Sequence, residues 1–232
     1  MQRKGGDVGI LGFRCFHCDR PLNIGIHGFC TSCQKLIKNR PYCGHCGMSL
    51  RENRQSCGYC LRNEPKWHKL VRVAEYHMPL SHWIHRLKFQ SQYWLDQALS
   101  RQLLLAIKEA QRERGLVLPE VIMPVPLFWQ RNWSRGFNQA TLLSQWLAKW
   151  LQIPLDTQSL TRNRATTSQR ELTAHERRKN LRGAFGYHPL KAYKRVAIVD
   201  DVITTGSTLN VICVELLKAG VEEIQVWTLA RA

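Results

Sequence analysis

The sequence of 232 residues carries 34 lysines and arginines against 17 aspartates and glutamates, a formal net charge of +17. A hydrophobic fraction of 44% excludes a mainly disordered chain, and no stretch approaches the roughly 18 apolar residues that a membrane-spanning helix needs. We therefore predict a cytoplasmic protein without membrane insertion, with one ordinary core and a small appendage. The basic excess attracts phosphate groups on a nucleic acid or a small ligand, although a solvated basic face explains it equally well.

Eight of the nine cysteines form four Cys-x-x-Cys pairs before residue 61. They are Cys15, Cys18, Cys30, Cys33, Cys43, Cys46, Cys57 and Cys60. Each pair can occupy one edge of a tetrahedral ion, so we predict two structural Zn²⁺ sites with four sulfur ligands each. Spacing does not decide whether the pairs combine in sequence or interleave. The alternative is a disulfide framework, which we disfavour because the sequence shows no secretion signal and the cytosol keeps thiols reduced.

The segment from Cys15 to Cys60, called the cysteine segment here, holds few large apolar side chains. Bound metal is therefore expected to supply the stability that its core cannot. His17 and His45 lie inside cysteine pairs, and we expect both to be bystanders rather than ligands. Basic residues decorate the segment, which suits either a nucleic-acid surface or plain solvated charge. These residues are Arg14, Arg20, Lys35, Lys38, Arg40, Arg51 and Arg54.

Residues 196–212 predict a buried strand, an acidic pair and a hydroxyl-rich turn that leads into a helix. The apolar run 196–199 is typical of a parallel strand, and the apolar spacing after the turn predicts a helix that stops at Gly220. Ligands of open α/β sheets bind at such junctions. Backbone N–H groups and hydroxyls there favour a phosphate, and the residues that supply them are Thr204, Thr205, Gly206, Ser207 and Thr208. Because Asp200 and Asp201 can hold sugar hydroxyls or a metal-bound water, the segment predicts a phosphorylated ribose as ligand.

This segment resembles the signature of type I phosphoribosyltransferases. In that family the acidic pair holds the ribose diol of phosphoribosyl pyrophosphate, and the loop wraps its 5-phosphate. The resemblance implies a catalytic role for Asp200 and Asp201. A P-loop ATPase is disfavoured, because the sequence contains no Gly-x-x-x-x-Gly-Lys-Ser/Thr motif.

The middle of the chain alternates predicted elements with basic stretches. Residues 121–127 predict a strand that ends in a proline-fixed loop, and the block 131–139 reads Arg-Asn-Trp-Ser-Arg-Gly-Phe-Asn-Gln. A helix follows, whose apolar residues recur at helical spacing and are expected in the core: Leu142, Leu143, Trp146, Leu147, Trp150 and Leu151. A second basic stretch covers residues 161–185.

Taken with the cysteine segment, these stretches resemble the ComF/GntX family of competence and DNA-utilisation proteins over nearly the whole chain. The resemblance implies an α/β domain at 116–232, a type I phosphoribosyltransferase-like parallel sheet flanked by helices. It places a double zinc knuckle at 1–66 and a connecting helical region at 67–115. It also implies a role in DNA uptake or utilisation, with other DNA-uptake proteins as partners.

The resemblance also implies how phosphoribosyl pyrophosphate is held. A loop that contains Val125 and Pro126 would handle the pyrophosphate, and a mobile basic loop at 164–170 would close over it. Mg²⁺ accompanies the ligand, because leaving pyrophosphate carries several negative charges. The candidate arginines that would share this neutralisation are Arg135, Arg164 and Arg177.

Three functions stay open at this point. The first is transfer of a phosphoribosyl group to an acceptor that the sequence does not identify. The second is binding of single-stranded DNA or imported nucleotides through aromatic residues interleaved with arginines, unless these aromatics pack under a neighbouring loop. The residues concerned are Trp129, Arg131, Trp133, Arg135 and Phe137. The third is a sensor that binds phosphoribosyl pyrophosphate without turnover and signals to a partner through the zinc module.

Overall fold

A computed structural model describes residues 13–89, 94–127, 136–164 and 183–232. A four-stranded parallel sheet in the order β1-β6-β5-β2 organises this part of the chain. Its strands are β1 (Lys69–Glu75), β2 (Val121–Pro124), β5 (Arg195–Ile203) and β6 (Glu223–Arg231). Two short strands, β3 (Leu160–Arg162) and β4 (Phe185–Tyr187), form a separate antiparallel pair.

Helices cover both faces of the sheet. Three of them lie on one face, α3 (Leu80–Phe89), α4 (Leu95–Arg114) and α5 (Gln139–Leu151). On the other face α6 (Ser207–Lys218) packs together with the β3–β4 pair. Central strands covered on both faces are expected to be apolar throughout, and β6 is buried from Ile224 to Ala230. The predicted fold class, a parallel α/β sheet with flanking helices, is confirmed.

The cysteine segment contains little regular structure. It comprises a 3₁₀ turn at Gly25–His27 and the short helices α1 (Thr31–Gln34) and α2 (Gly58–Arg62). The backbone of this segment joins the sheet directly, since Leu70 N of β1 donates a hydrogen bond of 2.6 Å to Gly44 O.

The region 67–115, predicted to be a connecting helical segment, supplies an edge strand of the main sheet as well as helices α3 and α4. Strand β1 runs parallel to β6, with Lys69 opposite Gln225 and Glu75 opposite Arg231. The apolar pattern of β1 is interrupted by Arg72, a residue 1% exposed. A charged residue at a buried strand position is rare, and this interruption concealed the strand.

The predicted helix after the basic block is present as α5. Of its six predicted core residues, Leu143, Leu147 and Leu151 are buried, whereas the other three are partly exposed. Among the partly exposed ones, Trp146 donates from Nε1 to Asp96 Oδ2 of α4 at 3.0 Å. No helix in the described ranges is both long and apolar enough to cross a membrane.

Candidate functional site

The carboxyl end of β5 begins the candidate site. The strand continues beyond the predicted run 196–199, because its pairing with β6 extends from Asp200 opposite Thr228 to Ile203 opposite Arg231. The two aspartates therefore lie within the strand rather than in the turn. Residues 204–208, named the hydroxyl loop here, connect β5 to the first turn of α6.

The hydroxyl loop and Asp200 line one shared cavity of about 40 Å³. That exceeds the roughly 10–15 Å³ that a single water needs, so the space suits a small tetrahedral anion. The lining residues are Asp200, Val202, Ile203, Thr204, Thr205, Gly206, Ser207, Thr208 and Leu209. Larger cavities of about 370 and 720 Å³ lie along α4, and neither includes a residue of the hydroxyl loop.

Gly206 shapes the loop. Its φ of 75° is left-handed, a conformation that glycine adopts without steric cost, and it precedes the first residue of α6. A Cβ at this position would lie 2.7 Å from Cη2 of Trp67, so the indole packs directly on the glycine. Thr205 Oγ1 and Ser207 Oγ lie 2.8 Å apart across the turn. Backbone N–H groups and the positive end of a 12-residue helix meet at this point, which favours a bound anion.

The two aspartates serve different faces of the sheet, as neighbouring strand residues do. Asp200 lines the cavity on the α6 side. Asp201 forms an ion pair with Lys88 of α3, with Nζ 2.8 Å from Oδ1 and both side chains largely buried. The two carboxylates were predicted to hold one sugar diol together. Asp200 lines the cavity and Asp201 is not among its lining residues, so a shared role of the two carboxylates in holding a sugar stays a prediction.

Burial, followed by the neighbouring charge of Asp201, raises the pKa of Asp200 to about 7. Lys88 and the backbone N–H of Asp201, which donates to Asp200 Oδ1 at 2.9 Å, limit the rise. Burial opposes the charge of Lys88, but the Asp201 carboxylate raises the net pKa of that amine. The raised pKa favours the protonated form of Asp200 compared with an ordinary aspartate, and a cation or polar ligand that favours its ionised form would pull the proton off.

The predicted pyrophosphate loop lies beside the end of β5. Val125 N donates to Val199 O at 2.9 Å, and Asn138 Nδ2 donates to Val125 O at 2.9 Å while the same side chain caps α5. Pro126, which follows, is partly exposed. These bonds hold the start of the loop against the same sheet edge as the hydroxyl loop.

Of the three predicted arginines, the structure describes Arg164, which is exposed just after β3. Arg135 and Arg177 lie outside the described residues. The predicted base-stacking residues Trp129, Arg131 and Trp133 lie outside them as well. Phe137 is partly buried and packs against the core on the α3–α5 face, so single-stranded DNA binding stays a prediction.

The eight paired cysteines assemble into two clusters. The first cysteine cluster is Cys15, Cys18, Cys30 and Cys33, and the second is Cys43, Cys46, Cys57 and Cys60. All sulfurs of a cluster lie within 4.8 Å of one another, with several pairs 3.6–3.7 Å apart. A tetrahedral ion with Zn–S bonds of about 2.3 Å separates its sulfurs by about 3.8 Å, so both clusters fit a metal ion. The question of pairing is settled, because successive pairs combine in sequence order.

Backbone groups support the sulfurs in the way that metal thiolates require. Cys30 N donates to Cys15 Sγ at 3.3 Å, and Cys46 N donates to Cys43 Sγ at 3.5 Å. Burial raises the pKa of Cys15, yet the backbone N–H groups around it lower the net value to about 6, whereas burial and the neighbouring thiols raise the pKa of Cys33 in the same cluster. A thiol held near that pKa gives up its proton to a metal easily.

Neither knuckle histidine belongs to a cysteine cluster within the described residues. His45 Nε2 donates to Trp67 O at 2.7 Å, and Trp67 Nε1 donates back to His45 O at 2.6 Å. His17 Nδ1 accepts from Trp83 Nε1 at 3.3 Å. The prediction that both histidines are bystanders to the metal sites agrees with these contacts.

Sequence reasoning assigned no role in the site to two residues, Lys88 and Trp67. Both touch the site across long sequence separations, to Asp201 and to Gly206 respectively. The one local signal for Lys88 was its place near the end of an amphipathic helix, after the buried Leu87. No local pattern distinguishes Trp67 from the other seven tryptophans of the chain.

Comparison with known proteins identifies relatives over almost the entire length. A family model described as "Phosphoribosyl transferase domain" matches residues 136–232. Competence protein F of Haemophilus influenzae is 53% identical over 228 residues, which cover 97% of this chain and 100% of that protein. The DNA utilization protein YhgH of Escherichia coli K12 is 43% identical over 218 residues, which cover 94% and 96% of the two chains.

Among solved structures, the purine phosphoribosyltransferase from Pyrococcus horikoshii Ot3 aligns at 26% sequence identity with a TM-score of 0.36. The alignment covers 57% of this chain and 73% of that one.

The two aspartates are predicted to affect stability in opposite directions. Folding raises the pKa of Asp200 from 3.8 to about 7, so the folded protein binds the proton more tightly and its free energy of unfolding falls as pH rises through that window. Asp200→Asn removes this cost, and urea unfolding at pH 8 should show a gain of about 1–3 kcal/mol that disappears near pH 4.

Asp201→Asn is the matched comparison. It leaves the Lys88 cation largely buried without its partner and should lower the free energy of unfolding at pH 8 by about 1–3 kcal/mol. Equal signs for the two variants would contradict the assignment of the carboxylates to different faces.

Proposed function

The chain belongs to the family of Competence protein F and the DNA utilization protein YhgH, and we propose that it acts in DNA uptake or utilisation. In this role it would bind phosphoribosyl pyrophosphate at the hydroxyl loop. Its carboxyl-terminal part is a phosphoribosyl transferase domain.

One observation supports the proposal above all others: a single small cavity combines an anion-binding turn with one carboxylate. The 5-phosphate would sit against the backbone N–H groups and hydroxyls of the loop, where α6 begins. Ribose hydroxyls would then donate to Asp200. A ligand with only one of these groups would leave either the turn or the carboxylate unmatched.

Mg²⁺ would accompany the ligand, because it neutralises the pyrophosphate and prefers oxygen ligands. The start of the loop at Val125 and Pro126 would receive the pyrophosphate, since its hydrogen bond to Val199 holds it beside β5. Arg135, Arg164 and Arg177 remain the candidates for sharing the negative charge. An Asp200 carboxyl with a pKa of about 7 would lose its proton as the cation approached.

Transfer would replace the bond between C1 of the ribose and the pyrophosphate oxygen with a bond from C1 to the acceptor nucleophile. Asp200 would orient the sugar, and pyrophosphate would leave with the bonding electrons. A sensor would bind the same ligand and leave that bond intact. Release of pyrophosphate in the presence of bases, nucleosides and oligonucleotides separates the enzyme from the sensor.

Each cysteine cluster would hold one structural Zn²⁺. Four thiolates complete a tetrahedral shell and leave no open position for substrate, so the metal would stabilise the segment rather than take part in a reaction.

Calorimetry with phosphoribosyl pyrophosphate and Mg²⁺ tests the binding proposal. Asp200→Asn should weaken binding about 10–100-fold, because it removes a charged acceptor of the ribose hydroxyls. Glu222→Gln removes the same charge from an exposed residue just before β6, at the amino-terminal end of that strand and away from the hydroxyl loop. This variant should leave the affinity unchanged. Absence of binding by the unaltered protein would reject the proposed ligand.

Metal analysis of the purified chain should return two Zn²⁺ per molecule. Cys18→Ser and Cys57→Ser should each lower the count to one, because each removes a ligand from a different cluster. Cys213→Ala alters the buried cysteine of α6, outside both clusters, and should retain both ions. A count of one in the unaltered chain would show that one cluster does not bind metal.

A further inference from the structure

We propose that Trp67 is a positioning residue that couples the second cysteine cluster to the hydroxyl loop, so that metal at the cluster and ligand at the loop stabilise each other. The ligand half of this proposal rests on the function proposed above. The mechanical half rests only on contacts within the described residues.

The first step of the coupling links the turn between Cys43 and Cys46, in the second cysteine cluster, to Trp67. Residues of the turn between Cys43 and Cys46 include His45, whose imidazole donates to Trp67 O and whose carbonyl accepts from Trp67 Nε1. Both bonds are shorter than 2.8 Å. A turn closed around a metal ion fixes His45, and this reciprocal pair transmits that constraint to the indole.

The second step links Trp67 to the loop. The indole is 4% exposed, and its outer ring packs on Gly206 so closely that a Cβ there would clash. The adjacent Lys66 N donates to Asn210 Oδ1 at 2.8 Å, and Asn210 lies in the first turn of α6. The segment 66–67 therefore holds both the left-handed turn and the start of the helix whose N–H groups would face the anion.

A second route runs parallel to the first. Arg231 at the end of β6 donates from Nε to Cys46 O at 3.3 Å and from Nη1 to Ile203 O at 3.4 Å. One guanidinium thus joins the carbonyl of a cluster cysteine to the residue that precedes the hydroxyl loop. Two separate sets of contacts therefore join the same two segments, and packed and hydrogen-bonded contacts of this kind can carry energetic coupling between sites.

The first cysteine cluster offers an internal control. It also has a tryptophan that hydrogen-bonds to its knuckle histidine, Trp83 to His17. Trp83, however, stacks on Phe29 at 4.0 Å and lies in the core of the α3–α5 face, away from Gly206. Trp67→Phe removes an indole bond to the carbonyl of His45, and Trp83→Phe removes one to the imidazole of His17. Only the first variant also removes ring atoms that reach the hydroxyl loop.

Hydrogen exchange of the protein loaded with two Zn²⁺ tests the mechanical half without any ligand. Trp67→Phe should speed exchange of the backbone amides of residues 204–209 at least about 5-fold, whereas Trp83→Phe should leave them unchanged. Equal exchange in the unaltered protein and Trp67→Phe would overturn the proposal.

Competition for Zn²⁺ with a chromogenic chelator at equilibrium tests the coupling itself, with and without saturating phosphoribosyl pyrophosphate and Mg²⁺. The ligand should raise the affinity of one of the two sites for Zn²⁺ by about 5–150-fold, and Trp67→Phe should abolish the increase. If the ligand binds in calorimetry but neither site gains affinity for Zn²⁺, the coupling is wrong and the proposed function stands. If no ligand binds yet Trp67→Phe speeds hydrogen exchange in the hydroxyl loop, the proposed ligand is wrong. The mechanical link from the second cysteine cluster through Trp67 to the hydroxyl loop then still stands.

Discussion

The contact between Trp67 and Gly206 fixes the geometry on which the candidate site depends. A left-handed glycine ends strand β5 and lets α6 begin at once, and the indole that covers it prevents any larger residue from taking its place. Without that turn, the N–H groups of α6 and the carboxylate of Asp200 would not share one cavity. Because His45 of the cysteine segment forms two hydrogen bonds with Trp67, that segment also supports this site.

Successive side chains of β5 alternate between the two faces of the sheet, and this alternation separates the charges of Asp200 and Asp201. Two adjacent aspartates at the end of β5 resemble a single acidic unit in the sequence, but the pleat sends them to different faces. Lys88 neutralises Asp201 on the α3 face, whereas Asp200 stays in the cavity with a pKa of about 7. One carboxylate is thereby structural in the free protein, and the other is poised to respond to a ligand or a cation.

Local patterns predicted the parts of the molecule whose chemistry is contained in short stretches. Cysteine spacing predicted two clusters of four, and the hydroxyl loop and the helix that follows it appear where apolar spacing and turn residues placed them. The strand before them was predicted too short, because β5 continues through both aspartates to Ile203. The pairing of the cysteines, the contacts of Lys88 and the role of Trp67 were beyond sequence reasoning, because each depends on residues brought together from distant segments. Strand β1 was missed for a different reason: its buried Arg72 breaks the apolar pattern.

A crystal structure of the zinc-loaded protein soaked with ribose 5-phosphate would test the central claim most directly. We expect the phosphate within hydrogen-bond distance of the backbone N–H groups of residues 205–208, and a ribose hydroxyl within hydrogen-bond distance of Asp200. Gly206 should keep its contact with Trp67 in that structure. A phosphate bound elsewhere, for instance in either cavity along α4, with an empty hydroxyl loop would contradict the account.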